Sequence, residues 1–157
     1  MGNYILIKKQ AEALIDSNAS AIGNIANICS LLFNNIENLN WVGVYIKNGE
    51  SLYLGPFMGK PACTIIPVSK GMCGKAVREN HTLVINDVLA EPDHIACDSS
   101  SRSEVVSILH RENKIWGVLD IDAPIQNRFE DSELVDLIEF VAKLISEEIL
   151  DKYTILC

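Results

Sequence analysis

Apolar residues recur at helical spacing through the first part of the chain and then switch to alternation. Residues 4–16 read as a helix, interrupted by Ser17-Asn18-Ala19-Ser20. Ser20 is placed to cap a second helix running to about Ile36, with an apolar stripe of Ala21, Ile22, Ile25, Ile28, Cys29, Leu32, Phe33 and Ile36. Inside that stripe Cys29 reads as a small buried hydrophobe. From Trp41 to Ile46 the period becomes two. Val42, Val44 and Ile46 share one face, and Trp41, Gly43 and Tyr45 the other. Asn48-Gly49 signals a hairpin, with the return strand over residues 51–56. A third strand covers 63–68, where Pro67 marks an edge or a strand end. Residues 71–80 form a Gly-punctuated turn into a short helix, and 82–85 a fourth strand. Strands 104–109 and 114–122 pair around Arg111-Glu112-Asn113, and Asp131 caps a final helix from Ser132 to about Leu150. This order predicts an α+β fold, an antiparallel sheet with helices gathered on one side.

Composition narrows the field. A chain of 157 residues without linker or repeat fits a single domain, residues 1–157. Its net charge of -8 disfavours nucleic acid and anionic membrane as partners. No apolar run reaches membrane-spanning length, and the N-terminal order of residues is wrong for a secretory signal, so a cytoplasmic protein is expected. Gly2 hints at myristoylation, but Leu6 stands where Ser or Thr is needed, and Cys157 is not a prenylation box. Five cysteines in such a chain point to reduced, catalytic or metal-binding thiols rather than a disulfide framework.

The chemistry concentrates in the irregular stretch 88–103, centred on His94-Ile95-Ala96-Cys97-Asp98-Ser99-Ser100-Ser101-Arg102. A loop this long in a compact domain is usually functional or disordered, and the thiol favours function. Upstream, Cys73 falls near the start of the short helix, where the dipole would favour a thiolate. Asp120 and Asp122, two apart on a strand, point to one face. In a pocket one of them would keep its proton and serve as a donor; at a strand end both would simply be solvated. The face of Trp41 and Tyr45, with its gap at Gly43, fits either packing under a helix or an aromatic wall with room for a small ligand. A structural zinc site from Cys63, Cys73, His94 and Cys97 has one plausible half, His94-x-x-Cys97, but Cys63 and Cys73 lack knuckle spacing, so no metal is expected.

From Asn40 onward the chain resembles the free methionine-(R)-sulfoxide reductases, which are built on a GAF domain. The resemblance rests on Asn40-Trp41-Val42-Gly43, Leu54-Gly55-Pro56-Phe57, Gly59-Lys60-Pro61-Ala62-Cys63, Gly71-Met72-Cys73-Gly74, His94-Ile95-Ala96-Cys97-Asp98, Ser103-Glu104-Val105-Val106 and Gly117-Val118-Leu119-Asp120-Ile121-Asp122. It implies a six-stranded antiparallel sheet with the N- and C-terminal helices on one face and a ligand cavity on the other. It makes Cys97 the catalytic cysteine, with Cys63 and Cys73 as candidates for resolving it, and puts Trp41, Glu104, Asp120 and Asp122 in the substrate pocket. One departure is Ser107-Ile108-Leu109, followed by His110 and Arg111, where the family often has Leu-Pro-Leu and more apolar residues. This leaves the edge pairing of that strand open.

The activity implied is reduction of free L-methionine-(R)-sulfoxide. Cys97 attacks, a carboxyl protonates the oxygen, a sulfenic acid forms, a second thiol condenses to a disulfide, and thioredoxin restores the dithiol. No bound cofactor is expected, and a homodimer through the terminal helices is. The acidic cluster suits the ammonium group of a free amino acid, and the hydroxyls of Ser99–Ser103 its carboxylate. The competing expectation is a non-catalytic GAF module that senses a small ligand.

Overall fold

The computed structural model describes residues 3–155; Gly2 and Cys157 lie outside the described residues. Helix α1 (Tyr4–Leu14) begins where the Asn3 side chain accepts the Leu6 N–H. Helix α2 (Ala21–Asn35) begins where the Ser20 hydroxyl accepts the Gly23 N–H. Both caps satisfy amides that the first turn leaves unpaired. The hairpin β1 (Trp41–Asn48) and β2 (Ser51–Gly59) follows, then the short β3 (Ile65–Pro67), helix α3 (Gly71–Glu79) and β4 (Leu83–Ile85). Strands β5 (Ser103–Arg111) and β6 (Lys114–Ala123) form the second long pair, and helix α4 (Ser132–Leu144) closes the chain with Asp131 as its cap.

The six strands form one antiparallel sheet in the order β3-β2-β1-β6-β5-β4. Strand β3 lies at an edge, where the missing N–H of Pro67 costs least. Strand β5 stays paired with β6 through His110 and Arg111, with a register shift between Leu109 and His110. The unusual residues there are absorbed by an irregularity rather than by loss of pairing.

Each face of the sheet carries its own core. Helices α1, α2 and α4 cover Val42, Val44, Val105, Leu109, Leu119 and Ile121. Helix α3 covers the opposite face, where Trp41, Tyr45, Val106 and Val118 lie. The α+β class and antiparallel sheet are as expected, but the helices are not all gathered on one side: α3 covers the opposite face. No described helix is long and apolar enough to cross a membrane.

The final helix departs from its expected run to Leu150. Residues Ile145–Leu150 take π-helical geometry. Ser146 donates its hydroxyl to the Ala142 carbonyl at 2.9 Å and accepts the His110 N–H at 2.9 Å. A hydroxyl inserted into the ladder in this way widens the turn and ties it to β5.

Candidate active site

Strand register assembles the site. Trp41 of β1 and Glu104 of β5 both pair with Asp122 of β6, and Gly43 and Val106 both pair with Asp120. Residues opposite one another project to the same face. Three carboxyls from β5 and β6 and one indole from β1 therefore meet under α3. The strand-end reading of Asp120 is overturned, since that side chain is only 5% exposed.

A cavity of ≈ 40 Å³ lies there, lined by Trp41, Tyr45, Cys73, His94, Cys97, Ser101 and the three acids. Two turns of chain close over it. One carries Cys63 and the other Cys97, and the two cysteines are joined in a disulfide with 5.4 Å between their Cα atoms. Among the described residues Cys29 and Cys73 are free and buried. Two of the four donors of the imagined zinc site are thus spent on each other.

The gap at Gly43 is filled by the protein itself. A Cβ there would meet the Trp41 ring and Phe57 Cβ, each at 2.5 Å. The Trp41 ring folds over Gly43 and stacks on Phe57 at 5.4 Å and on Tyr45 at 5.8 Å between centroids. The aromatic wall is real, but Gly43 makes room for the indole rather than for a ligand. Polar tips fix both rings. Trp41 Nε1 donates to the Lys60 carbonyl at 3.2 Å, and the Tyr45 hydroxyl to the Cys63 carbonyl at 2.9 Å.

Burial governs the protons. It raises Glu104 well above the usual carboxylate range, and the neighbouring charges of Asp120 and Asp122 push it further. Burial also raises Asp122, reinforced by Asp120. Asp120 is raised by burial and drawn partly back by Glu104 and Cys73 beside it. The cluster titrates as a set and holds protons where free carboxyls would have lost them. Cys73 Sγ lies 4.0 Å from Glu104 Oε1. Burial, then the acids, drive its thiol well above the ordinary value. The helix start at Gly71 was expected to favour a thiolate at Cys73; desolvation and three carboxyls outweigh the dipole. Cys29, on the other face, is pushed up to about 12 by burial, as suits a core thiol. His94 lies 3.9 Å from Glu104 Oε2, and burial lowers its pKa, which favours the neutral imidazole.

The loop hydroxyls have other work than expected. Ser100 donates both its hydroxyl, at 2.6 Å, and its amide, at 2.9 Å, to Asp98, and that hydroxyl is the main reason Asp98 stays ionised below the usual range. Ser103 donates to the Ile125 carbonyl at 2.6 Å. Of the Ser99–Ser103 run, Ser101 alone lines the cavity. Arg102 lies 3.9 Å from Asp87 and does not line it. A residue whose role the sequence did not reveal is Asn40. Its Nδ2 donates to Asp98 at 3.0 Å and to Ser101 Oγ at 2.9 Å, tying the Cys97 loop to the start of β1. The Asp98-x-Ser100 spacing, which favours a side-chain-to-backbone turn, was the available signal.

A GAF domain model matches residues 21–149. A protein of Escherichia coli named free methionine-R-sulfoxide reductase is 41% identical over 90% of this chain and 86% of its own length. The fRMsr of Staphylococcus aureus in its reduced form superposes with a TM-score of 0.89 at 45% identity, covering 95% of this chain and 96% of that one. A free methionine-R-sulfoxide reductase from Neisseria meningitidis, solved in complex with its substrate, superposes with a TM-score of 0.86 at 36% identity, covering 92% and 86%.

Proposed function

Since the chain belongs to the free methionine-R-sulfoxide reductases, a family built on the GAF domain, we propose that it reduces free methionine-(R)-sulfoxide to methionine through Cys97. The observation that carries this reading is that Cys97, joined to Cys63 in a disulfide, lines one cavity with Glu104, Asp120 and Asp122. A thiol and an acid set facing one chamber suit oxygen transfer from sulfur to sulfur.

In the reduced protein the Cys97 thiolate attacks the sulfoxide sulfur. A carboxyl of the Glu104, Asp120 and Asp122 set protonates the departing oxygen, methionine leaves, and Cys97 is left as a sulfenic acid. The Cys63 thiol condenses with it, releasing water and forming the disulfide. A dithiol protein of the thioredoxin class then reduces that bond by exchange. Cys63 is favoured over Cys73 as the resolving thiol because the structure joins Cys63 to Cys97, whereas Cys73 stays buried and protonated beside Glu104.

Trp41 supplies the apolar wall for the methyl group. The acids suit the ammonium group, and a peptide-bound residue, lacking both charged ends, would leave those groups unpaired. Ligand pockets usually measure about 300–1,000 Å³. The ≈ 40 Å³ cavity is far smaller, so substrate enters after the disulfide opens and its two turns withdraw. A homodimer through the terminal helices completes the proposal, supported by Ile5 and Leu6 standing 71% and 47% exposed on α1; sedimentation velocity tests it.

The test is NADPH consumption with thioredoxin and thioredoxin reductase, with free R and S sulfoxides and a peptide-bound sulfoxide compared. Only the free R epimer should support turnover. Cys97→Ser should release no methionine even in a single turnover without reductant. Release of a stoichiometric equivalent by that variant removes Cys97 as the nucleophile.

A further inference from the structure

Cys73, Glu104 and Asp120 each direct a ligand atom toward one point under α3, and these atoms lie within 4.8 Å of one another. All three side chains are buried, at 4%, 4% and 5% exposure. An independent sign is Asp120 Oδ1, a buried oxygen with no hydrogen-bond partner among the described residues, on a side chain that lines the cavity. Leaving such an atom unpaired costs about 1–3 kcal/mol, which a cation would offset.

Size and donor chemistry agree. A space of ≈ 40 Å³ is too small for an amino acid but accepts a dehydrated ion. One sulfur and two carboxylates form a mixed set that suits a borderline-soft metal rather than magnesium or calcium. Zinc takes sulfur at about 2.3 Å and oxygen at about 2.0 Å, so its tetrahedral ligands sit roughly 3.5 Å apart. His94 Nδ1 lies 3.9 Å from Glu104 Oε2 but outside the group formed by Cys73, Glu104 and Asp120, so a water takes the fourth position.

We propose that this pocket binds one divalent cation of the zinc class through Cys73 Sγ, Glu104 and Asp120, with water completing the set, while Cys63 and Cys97 remain joined. On binding, the Cys73 thiol and the protonated carboxyls among Glu104 and Asp120 release their protons to solvent in exchange for the ion, and no redox change occurs. An ion there ties up Glu104 and Asp120, two of the carboxyls proposed to protonate the substrate oxygen, so it blocks the reductase. That consequence rests on the proposed function, whereas the binding does not.

The oxidised chain, full length and carrying Cys157→Ser so that no terminal thiol contributes, is stripped with a chelator and titrated with Zn²⁺ by calorimetry and with Cd²⁺ by ultraviolet absorption. The expected result is one ion per chain and a cadmium–thiolate charge-transfer band. Cys73→Ser abolishes the band and weakens zinc at least tenfold. Asp120→Asn weakens zinc at least tenfold but keeps the band at saturation, Cys29→Ser changes neither, and a large excess of Mg²⁺ does not compete. Absence of bound ion, a band that survives Cys73→Ser, or zinc affinity unaffected by Asp120→Asn overturns the proposal. If Cys73→Ser fails to fold, Asp120→Asn, which preserves volume, decides by the same measure. A chain that binds no ion leaves the reductase reading standing, and a chain inactive on the sulfoxide leaves the ion site standing.

Discussion

The two faces of the sheet obey different rules. On the face covered by α1, α2 and α4, the sheet contributes Val42, Val44, Val105, Leu119 and Ile121, all fully buried and apolar. On the face under α3, the same strands contribute Glu104, Asp120 and Asp122, and burial there holds protons on acids. One face spends its burial on stability, about 25 cal/mol for each Å² of apolar surface. The other places burial around ionisable groups and lifts their pKa values. Because the side-chain period of a strand is two, neighbours in sequence serve opposite purposes.

Leu119 and Asp120 are the sharpest pair for breaking this contrast. Leu119→Ala should lower the unfolding free energy by about 2–5 kcal/mol and leave kcat/KM nearly intact. Asp120→Asn should keep stability within about 1 kcal/mol and cut kcat/KM by roughly 100-fold or more. Equal loss of activity in both, read by steady-state kinetics beside urea unfolding, would erase the division. Reducing the Cys63–Cys97 bond comes next. Its sequence separation is 34 residues. Loop-closure entropy sets its stabilisation at up to about 4 kcal/mol, and unfolding with and without a dithiol measures it.

A smaller effect follows pH. The folded pKa values of Glu104, Asp120 and Asp122 are raised, so between unfolded and folded values the native chain binds more protons than the unfolded one. Their stabilising contribution is full below about pH 4 and declines as pH rises through the folded values. The slope is at most about 1.4 kcal/mol per pH unit for each group still titrating. Glu104→Gln should flatten that decline, and a slope unchanged from wild type would show that Glu104 does not hold its proton. Smallest is Ser146→Ala on the helix face, expected to cost about 1 kcal/mol by leaving the His110 amide unpaired. Hydrogen exchange at His110 should accelerate with it.

Period alone was enough to separate the two faces along β1 and β6. It could not say which face was wet, because Asp120 and Asp122 alternate with Leu119 and Ile121 identically at a solvated strand end and over a closed cavity. Motif resemblance resolved that ambiguity for Trp41 and the acids. What stayed hidden depended on three-dimensional neighbours. The indole filling the space over Gly43, the Asn40 tether and the commitment of Ser100 to Asp98 arise from contacts between segments distant in sequence. The π turn after Leu144 belongs to the same class, since Ser146 is helix-compatible until His110 arrives from β5.

The hydroxyl of Tyr45 ends on the carbonyl of Cys63. A wall residue of the chamber is thereby wired to the arm that carries one half of the disulfide. In the proposed cycle that arm withdraws when the disulfide is reduced, and the phenol would then lose its acceptor and meet water instead. The near-ultraviolet spectrum of the protein should therefore register each oxidation and reduction without any added dye, giving a native optical gauge of how many molecules stand open.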